Sequence, residues 1–475
     1  MLTAALLAAA LAIGVLTPVA DVTWLLIAGD KFLAGQRLYA DVLEVNPPLS
    51  VLIYLPALLI AGPLGLEPEA VVGVLCVAGT ALSIGLSGVI AWPLIGADRL
   101  RAWRLAAAAA LVLGVLPMAA FGQREHIAVI ALVPFLALCT VRAEGAAAGR
   151  LATVAAGLGL GLAVCVKPHF AVAAGLPLLW SMARRRRWRP WEQPELWAAA
   201  GIVAGYGLLI VLAFPDYLTS ALPLLRDAYL PVRAPMLLLL ILPGVPLALG
   251  AAVVARLLRL EARWLMAPMF AALGGAAAFV LQGKGWPYHA YPMLAFAMLG
   301  LLAGAVMVPT ASRRVWSRMD RVMLWAPALA AAVWLSSNVD ASDLVRQVRA
   351  VAPPAPRLIA VSGNLGVGMP IVRAVGGRWI GSDCSEWITD GVLRIEEAGG
   401  VSAARRTRLQ ALVEADRVRL ANDIAAGTPD IILFDRKRFD WRRWALDNRR
   451  IAALLGAYHR AGAVKGIEVW SRNGR

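Results

Sequence analysis

Charge is scarce in this 475-residue chain. Charged residues make up 16% of it and apolar residues 60%, where a soluble domain carries about 25% and about 45–50%. A shortfall of that size excludes an ordinary soluble fold and points to lipid as the solvent. Cysteine is scarcer still. Of four, Cys76, Cys139 and Cys165 lie in apolar runs and Cys384 stands alone in the tail. No two have metal-ligand spacing, so neither a disulfide framework nor a zinc site is implied. The first apolar run also lacks a basic segment ahead of it. Pro18-Val19-Ala20 has the look of a cleavage site, but without that segment residues 1–20 read as a retained helix. No internal repeat is evident.

Long apolar runs take the place of the missing charge. Segments such as 1–20, 70–96 and 236–255 can cross a hydrocarbon layer of about 30 Å as helices. Backbone groups in lipid must be satisfied internally, and Leu/Ala-rich runs of this length suit helices, not barrel strands. Spans are expected near 2–20, 70–96, 105–120, 127–141, 151–166, 170–183, 197–213, 236–255, 265–281, 290–309 and 322–337, about eleven helices in all.

The net charge of +16 and pI of about 10.5 would raise the question of nucleic acid in a soluble protein. Here the arginines cluster between apolar runs, with no aromatic-interleaved basic patch, which is the pattern of topology signals. One set of connections holds Arg99/Arg101/Arg104, Arg142/Arg150, Arg184 to Arg187 with Arg189, Arg256/Arg259/Arg263 and Arg313/Arg314/Arg318/Arg321. The alternate set comprises 21–69, 122–126, 167–169, 214–235 and 282–289. Positive loops stay cytoplasmic, so the second set faces outward. The alternation holds only if 47–61 does not span. That segment is short and opens on Pro47-Pro48, as an interfacial helix would.

After residue 337 acidic residues become common. Arg357–Val361, 430–434 and 466–470 read as strands, and 403–426 and 441–461 as helices. A soluble α/β domain over 338–475 follows, joined through the hinge Pro353-Pro354-Ala355-Pro356. An odd number of spans from an inside N-terminus places it outside. Gly363 to Gly368 (GNLGVG) lacks both the P-loop ending and the dinucleotide fingerprint and reads as a turn.

The outward connections collect the unusual chemistry. His126, His169, His289, Lys167 and Lys284 fall at expected outer helix ends, in a chain where Arg greatly outnumbers Lys. Such groups can simply snorkel into the interface. As a set on one side they point to function. The acidic candidates are Asp21, Asp41, Glu44 and Glu125; the cationic ones are Arg124, Lys167, Lys284 and His289. A carboxylate near cations suits group transfer from a phosphate-activated donor, the base taking a hydroxyl proton while cations stabilise the departing phosphate. Asp41 serves equally well as a local turn cap, and Glu67 and Glu69 sit in a polar, solvated turn.

The first outer segment reads Asp21-Val-Thr-Trp, then GQRLYADVLEVNPPLSVLIYLP over 35–56. It resembles the first periplasmic loop of GT-C glycosyltransferases that use polyprenyl-phosphate sugars, in the branch of protein O-mannosyltransferases and the lipid A aminoarabinose transferase. In that pattern an Asp follows the first helix and a Glu precedes a Pro-Pro-Leu. Asp21, Glu44 and Pro47-Pro48-Leu49 match, and Lys284 with Tyr288-His289-Ala-Tyr291-Pro292 is similar to a late loop of the family. Where the family often shows Asp-Glu, Asp21 is followed by Val22.

The resemblance implies a GT-C-like polytopic helical module, 1–337, with first outer loop 21–69 and interfacial helix 47–61, and a periplasmic α/β domain, 338–475. It implies an inverting hexosyl- or pentosyltransferase of the bacterial inner membrane, moving one sugar from a polyprenyl-phosphate donor to an envelope glycan, glycolipid or protein. Asp21 is then the general base, with Glu44 and Glu125 as its partners. Arg124, Lys167, Lys284, His289 and Tyr291 are the implied contacts to the donor phosphate. A divalent metal on Glu44 and His126 is also implied for some members. The readings in other classes are an envelope-lipid transporter or flippase, and a scaffold whose tail binds envelope partners. Transporters usually carry internal repeats and ionisable or broken positions at mid-membrane; here the special residues sit at helix ends.

Overall fold

The computed structural model describes residues 1–16, 19–96, 98–337 and 340–474. Thr17 and Pro18, at the end of the expected first span, and Asn338 and Val339, at the expected domain boundary, lie outside the described residues.

In chain order the helices of the first 337 residues begin with α1 (Leu2–Leu16), α2 (Ala20–Leu33), α3 (Leu49–Leu52), α4 (Leu55–Leu64) and α5 (Pro68–Ile95). Next come α6 (Arg99–Ala110), α7 (Arg124–Ala143), α8 (Arg150–Val166), α9 (Phe170–Arg185), α10 (Pro194–Ala213) and α11 (Leu222–Leu224). The series ends with α12 (Met236–Ile241), α13 (Gly244–Leu257), α14 (Ala262–Gln282), α15 (Pro287–Met307), α16 (Thr310–Arg314) and α17 (Arg318–Leu335). Among the described residues, α5, α7, α10, α14 and α15 are long and apolar enough to cross a membrane, with shorter apolar helices beside them. This is a polytopic membrane fold. Each expected span coincides with a helix or a pair of helices. Two are broken. The span 105–120 leaves α6 for a π-helix, Leu111–Val115, and a 3-10 turn, Met118–Ala120. The span 236–255 is interrupted at Leu242-Pro243, where proline cannot donate to the preceding turn.

Local chemistry sets the helix starts. Pro68 and Pro287 open α5 and α15, at first-turn positions where a missing N–H costs nothing. Ser317 and Asp320 form a reciprocal capping box at α17. Small residues set close helix contacts. A Cβ on Gly157 would lie 2.3 Å from the carbonyl oxygen of Glu195, and one on Gly161 3.1 Å from the Cα of Ala199. Thus α8 and α10 touch backbone to backbone over one turn, the close approach that small-residue spacing permits.

The chain divides into two compact units. One comprises Met1–Thr17, Leu59–Leu209 and Arg233–Ser337, the other Pro18–Leu58, Ile210–Val232 and Asn338–Arg475. The second is built on a five-stranded sheet of order β2-β1-β3-β5-β4, with β1 (Arg357–Val361), β2 (Arg378–Trp379), β3 (Ile431–Asp435), β4 (Tyr458–Val464) and β5 (Ile467–Arg472). Strands β1, β2 and β3 run parallel, and β5 is antiparallel to both β3 and β4. Around it lie α18 (Ser342–Val351), α19 (Met369–Ala374), α20 (Trp387–Glu397), α21 (Ala403–Gly427), α22 (Trp441–Leu446) and α23 (Arg449–Leu455). Every residue of β3 is buried, as suits a central strand paired in parallel with β1 on one side and antiparallel with β5 on the other.

The expected helix over 441–461 is corrected: it is two short helices, α22 and α23, the second ending at Leu455, and residues from Tyr458 form β4. The cause is the turn Lys465-Gly466, both at positive φ (46° and 83°), which folds β4 onto β5 as a two-residue hairpin. The GNLGVG segment is a turn, as expected, with the Asn364 side chain accepting the Gly366 N–H at 2.9 Å.

The first outer segment differs more. Residues 20–33, expected as loop, form α2, which buries Val22 through Gly29 and packs against α19. A Cβ on Gly29 would meet Leu58 at 2.7 Å, so α2 and α4 cross closely there. The single helix expected over 47–61 is split into α3 and α4, with a turn at Ile53-Tyr54. Lys31 donates to the Gly381 carbonyl at 2.6 Å, and the Leu43 N–H to that of Ser382 at 2.8 Å. Asp227 pairs with Arg408 at 2.6 Å. The segments 18–58 and 210–232 are therefore built into the same unit as the tail.

Gly157→Ala should cost about 1–3 kcal/mol through the forced separation of α8 and α10. Gly175→Ala, where a Cβ meets nothing within 4 Å, should be neutral or stabilising. Thermal unfolding of both variants in detergent measures the difference, and equal midpoints would refute the contact.

Candidate functional site

Three helix junctions of the first unit meet in one place. One is the start of α7. Another is the break between α8 and α9, and the third is the turn from α14 to α15, where Gly283 at φ +67° ends α14. Lys167, between α8 and α9, donates to Oε1 of Glu125 on α7 and to Oε1 of Gln282 on α14, the latter at 3.3 Å. His289 on α15 places Nε2 3.6 Å from the same Glu125 oxygen. Arg124 and Lys284 act electrostatically on this group. An aromatic wall stands beside it: the Tyr288 ring is edge-on to His289 at 4.5 Å, Trp286 lies 5.1 Å from His289, and Lys167 Nζ is 6.0 Å from the Tyr288 centroid.

The charges are deep. Arg124, Glu125, Lys167 and His289 are 3%, 0%, 8% and 4% exposed. Ionised groups so placed are retained only where they are paired or used. Glu125 partners Lys167 through one oxygen, while its Oε2 and the Nδ1 of His289 have no hydrogen-bond partner among the described residues. Buried polar atoms are rarely left so; these two are open to a ligand. With Arg124, Lys167 and Lys284 against the single carboxylate of Glu125, the cluster is cationic and suits an anion. Sequence reasoning brought Arg124, Glu125, Lys167, Lys284 and His289 to one outer face, and the structure joins them. It missed Gln282, the uncharged residue that completes the grip on Lys167 just before the flagged Lys284.

Two other sequence candidates are corrected. His126 is fully buried, its Nδ1 accepting the Gly122 N–H at 3.0 Å and its Nε2 meeting the Leu113 carbonyl at 2.6 Å. Tyr291 is 0% exposed and its hydroxyl donates to the Val112 carbonyl at 3.2 Å. Both carbonyls belong to the π-helix Leu111–Val115, whose wide turn displaces them from the usual ladder. His126 and Tyr291 therefore repair a helix irregularity. Neither has an atom to spare for a metal or a phosphate.

Asp21 and Glu44 belong to the second unit. Asp21 is half-buried in the first turn of α2, where the helix N-terminus favours a carboxylate. Glu44 is 1% exposed and accepts from Trp24 Nε1, the Asn46 N–H at 2.9 Å and the Asn46 side chain. It thereby ties α2 to the turn that Pro47-Pro48 begins. Asp41 is exposed and accepts the Arg37 N–H at 2.8 Å, a local turn contact.

No protein-family model matches this chain, and no curated protein matches it. Solved structures do. ArnT from Cupriavidus metallidurans bound to undecaprenyl phosphate is similar at 13% identity and TM-score 0.55, over 99% of this chain and 97% of that one. ArnT from the same organism in the apo state is similar at 14% identity and TM-score 0.55, over 96% and 93%. The chain thus shares the fold of these ArnT structures over nearly its whole length.

Glu125→Gln or Lys167→Met leaves one buried charge unpaired and should cost about 3–5 kcal/mol. The double variant should cost less than the sum, because neither charge is orphaned. Unfolding midpoints of the three proteins in detergent test this; strictly additive losses would show that the two side chains do not act as a pair.

Proposed function

We propose that this protein is a membrane glycosyltransferase that moves a sugar from a polyprenyl-phosphate donor to a cell-envelope acceptor. The observation that carries the reading is the cluster of Arg124, Lys167 and Lys284, with His289 beside them, around the buried carboxylate of Glu125. The fold shared with a protein captured on undecaprenyl phosphate supports it.

In this reading Arg124, Lys167 and Lys284 bind the donor phosphate, and Glu125 holds Lys167 in place. The acceptor hydroxyl attacks the anomeric carbon as the bond from that carbon to the phosphate oxygen breaks, which inverts the configuration. The leaving polyprenyl phosphate keeps the electron pair, and the fixed cations stabilise that charge as it develops. The open nitrogen of His289 offers a further hydrogen-bonding atom to a phosphate oxygen. By the family resemblance Asp21 is the general base for the acceptor proton, with Glu44 orienting the segment that carries it. The membrane is the bacterial inner membrane, with the donor site and the C-terminal domain both extracytoplasmic. The acceptor is a glycan, glycolipid or protein.

The test is reconstitution in liposomes with a radiolabelled polyprenyl-phosphate sugar and envelope membranes as the source of acceptor. Lys167→Met should lower transfer by about 10²- to 10³-fold, the range seen on removing one charge-stabilising donor. Asp21→Asn should abolish it with the fold intact, and full activity in that variant would remove Asp21 from the mechanism. Movement of the labelled lipid across the bilayer with no transfer would make the protein a transporter instead.

A further inference from the structure

A second buried cluster, in the tail-containing unit, has no part in the chemistry above. Asp383 lies in the loop before α20, Glu386 stands at the N-cap of α20, and Asp416 sits on α21. One carboxylate oxygen from each lies within 4.8 Å of the others, and the residues are 6%, 4% and 0% exposed. A single guanidinium faces them: Arg419 donates to Asp416 and lies 3.5 Å from Asp383. Asp416 is further satisfied by Thr389, whose N–H and hydroxyl donate to Oδ2 at 3.1 and 2.6 Å.

Glu386 is different. Among the described residues its carboxylate receives no hydrogen bond and forms no ion pair, although it is buried and points into the group. A carboxylate in so buried a residue that receives no hydrogen bond from the protein is open to a ligand. Three carboxylates against one guanidinium also leave negative charge in excess. A cation at the centre would offset that excess. The geometry allows it, because two oxygens on opposite sides of an ion at about 2.4 Å are about 4.8 Å apart.

We propose that Asp383, Glu386 and Asp416 bind one hard divalent cation of the Ca²⁺ class. The donor set is oxygen only, which selects against softer metals. The cation has a mechanical consequence within this unit. The loop that carries Asp383 accepts from Lys31 of α2 at the Gly381 carbonyl and from the Leu43 N–H at the Ser382 carbonyl. Ser382 in turn gives its N–H and hydroxyl to Asp423 of α21, each at 2.8 Å. An ion joining that loop to α20 and α21 fixes the surface on which α2, with Asp21, and the Glu44 turn are seated. It acts as a positioning element, and its binding does not depend on the glycosyl-transfer reading.

Full-length protein in detergent, stripped with chelator, is titrated with Tb³⁺, with Trp387 beside Glu386 in sequence as the sensitiser. One saturable equivalent is expected, displaced by Ca²⁺, together with a Ca²⁺-dependent rise in unfolding temperature. Glu386→Gln, which breaks no hydrogen bond, should weaken Tb³⁺ binding at least tenfold. Glu397→Gln, on the exposed end of α20, should leave it unchanged. If Glu386→Gln does not fold, Asp383→Asn should show the same loss. The proposal is overturned by the absence of saturable binding or by unchanged affinity in the cluster variants. It is equally overturned if Glu386→Gln stabilises the protein while Ca²⁺ has no effect, since the acids would then be sharing protons.

Discussion

The buried pair of Lys167 and Glu125 is the constraint on which the membrane unit turns. An ionised side chain at that depth is tolerable only against a partner, and this partner comes from a different helix. Because Gln282 shares the same ammonium and His289 approaches the same carboxylate, one ion pair fastens α7, the α8–α9 break, α14 and α15 at a common end. Its position also explains the arginines. Each of these helices crosses the unit once, so its other end must carry the opposite character, and Arg142, Arg184 and Arg263 are found there. At that far end the charges pair locally, Arg142 with Glu195 and Arg263 with Glu144 at 3.1 Å. The two ends differ in kind: one gathers a few cations about a buried carboxylate, and the other carries the clustered arginines, of which some pair with nearby acids.

That asymmetry was legible in the sequence because it is written in composition. Apolar run length located the spans, and alternation of Arg-rich with His/Lys-bearing connections sorted their ends without any coordinates. What alternation cannot convey is contact. It could not separate His289, which has an open ring nitrogen, from His126, whose two nitrogens are taken by backbone. Nor could it show that Tyr291 faces a π-helix, because a π-turn depends on how neighbouring helices fit, not on the residues within it. Helix α2 escaped for a related reason. Its apolar stretch is short and bounded by Asp21, Asp30 and Lys31, so it reads as loop until a partner surface is supplied. The hairpin of β4 and β5 was lost to a helical period that Tyr458 onward happened to continue.

The partner surface for α2 comes from the far end of the chain, and this has a physical consequence. Contacts such as Leu43 to Ser382 join residues more than three hundred positions apart, and loop-closure entropy for such contacts grows only slowly with length. The penalty is bearable once, but each segment added to the unit must be held by enough contacts to offset its own ordering. The observed joints are of that kind. Lys31 is tied to a backbone carbonyl, Asp227 to Arg408, and the Ala228 carbonyl sits 2.1 Å from where a Cβ on Gly391 would fall. Glycine at 391 is thus required for the 210–232 segment to lie against α20. A unit assembled from three distant segments cannot be a detachable tail. Its soluble sheet, its first-loop helices and its buried acids hold or lose their geometry together, and for that reason an ion among Asp383, Glu386 and Asp416 would bear on the setting of Asp21, a residue it does not touch.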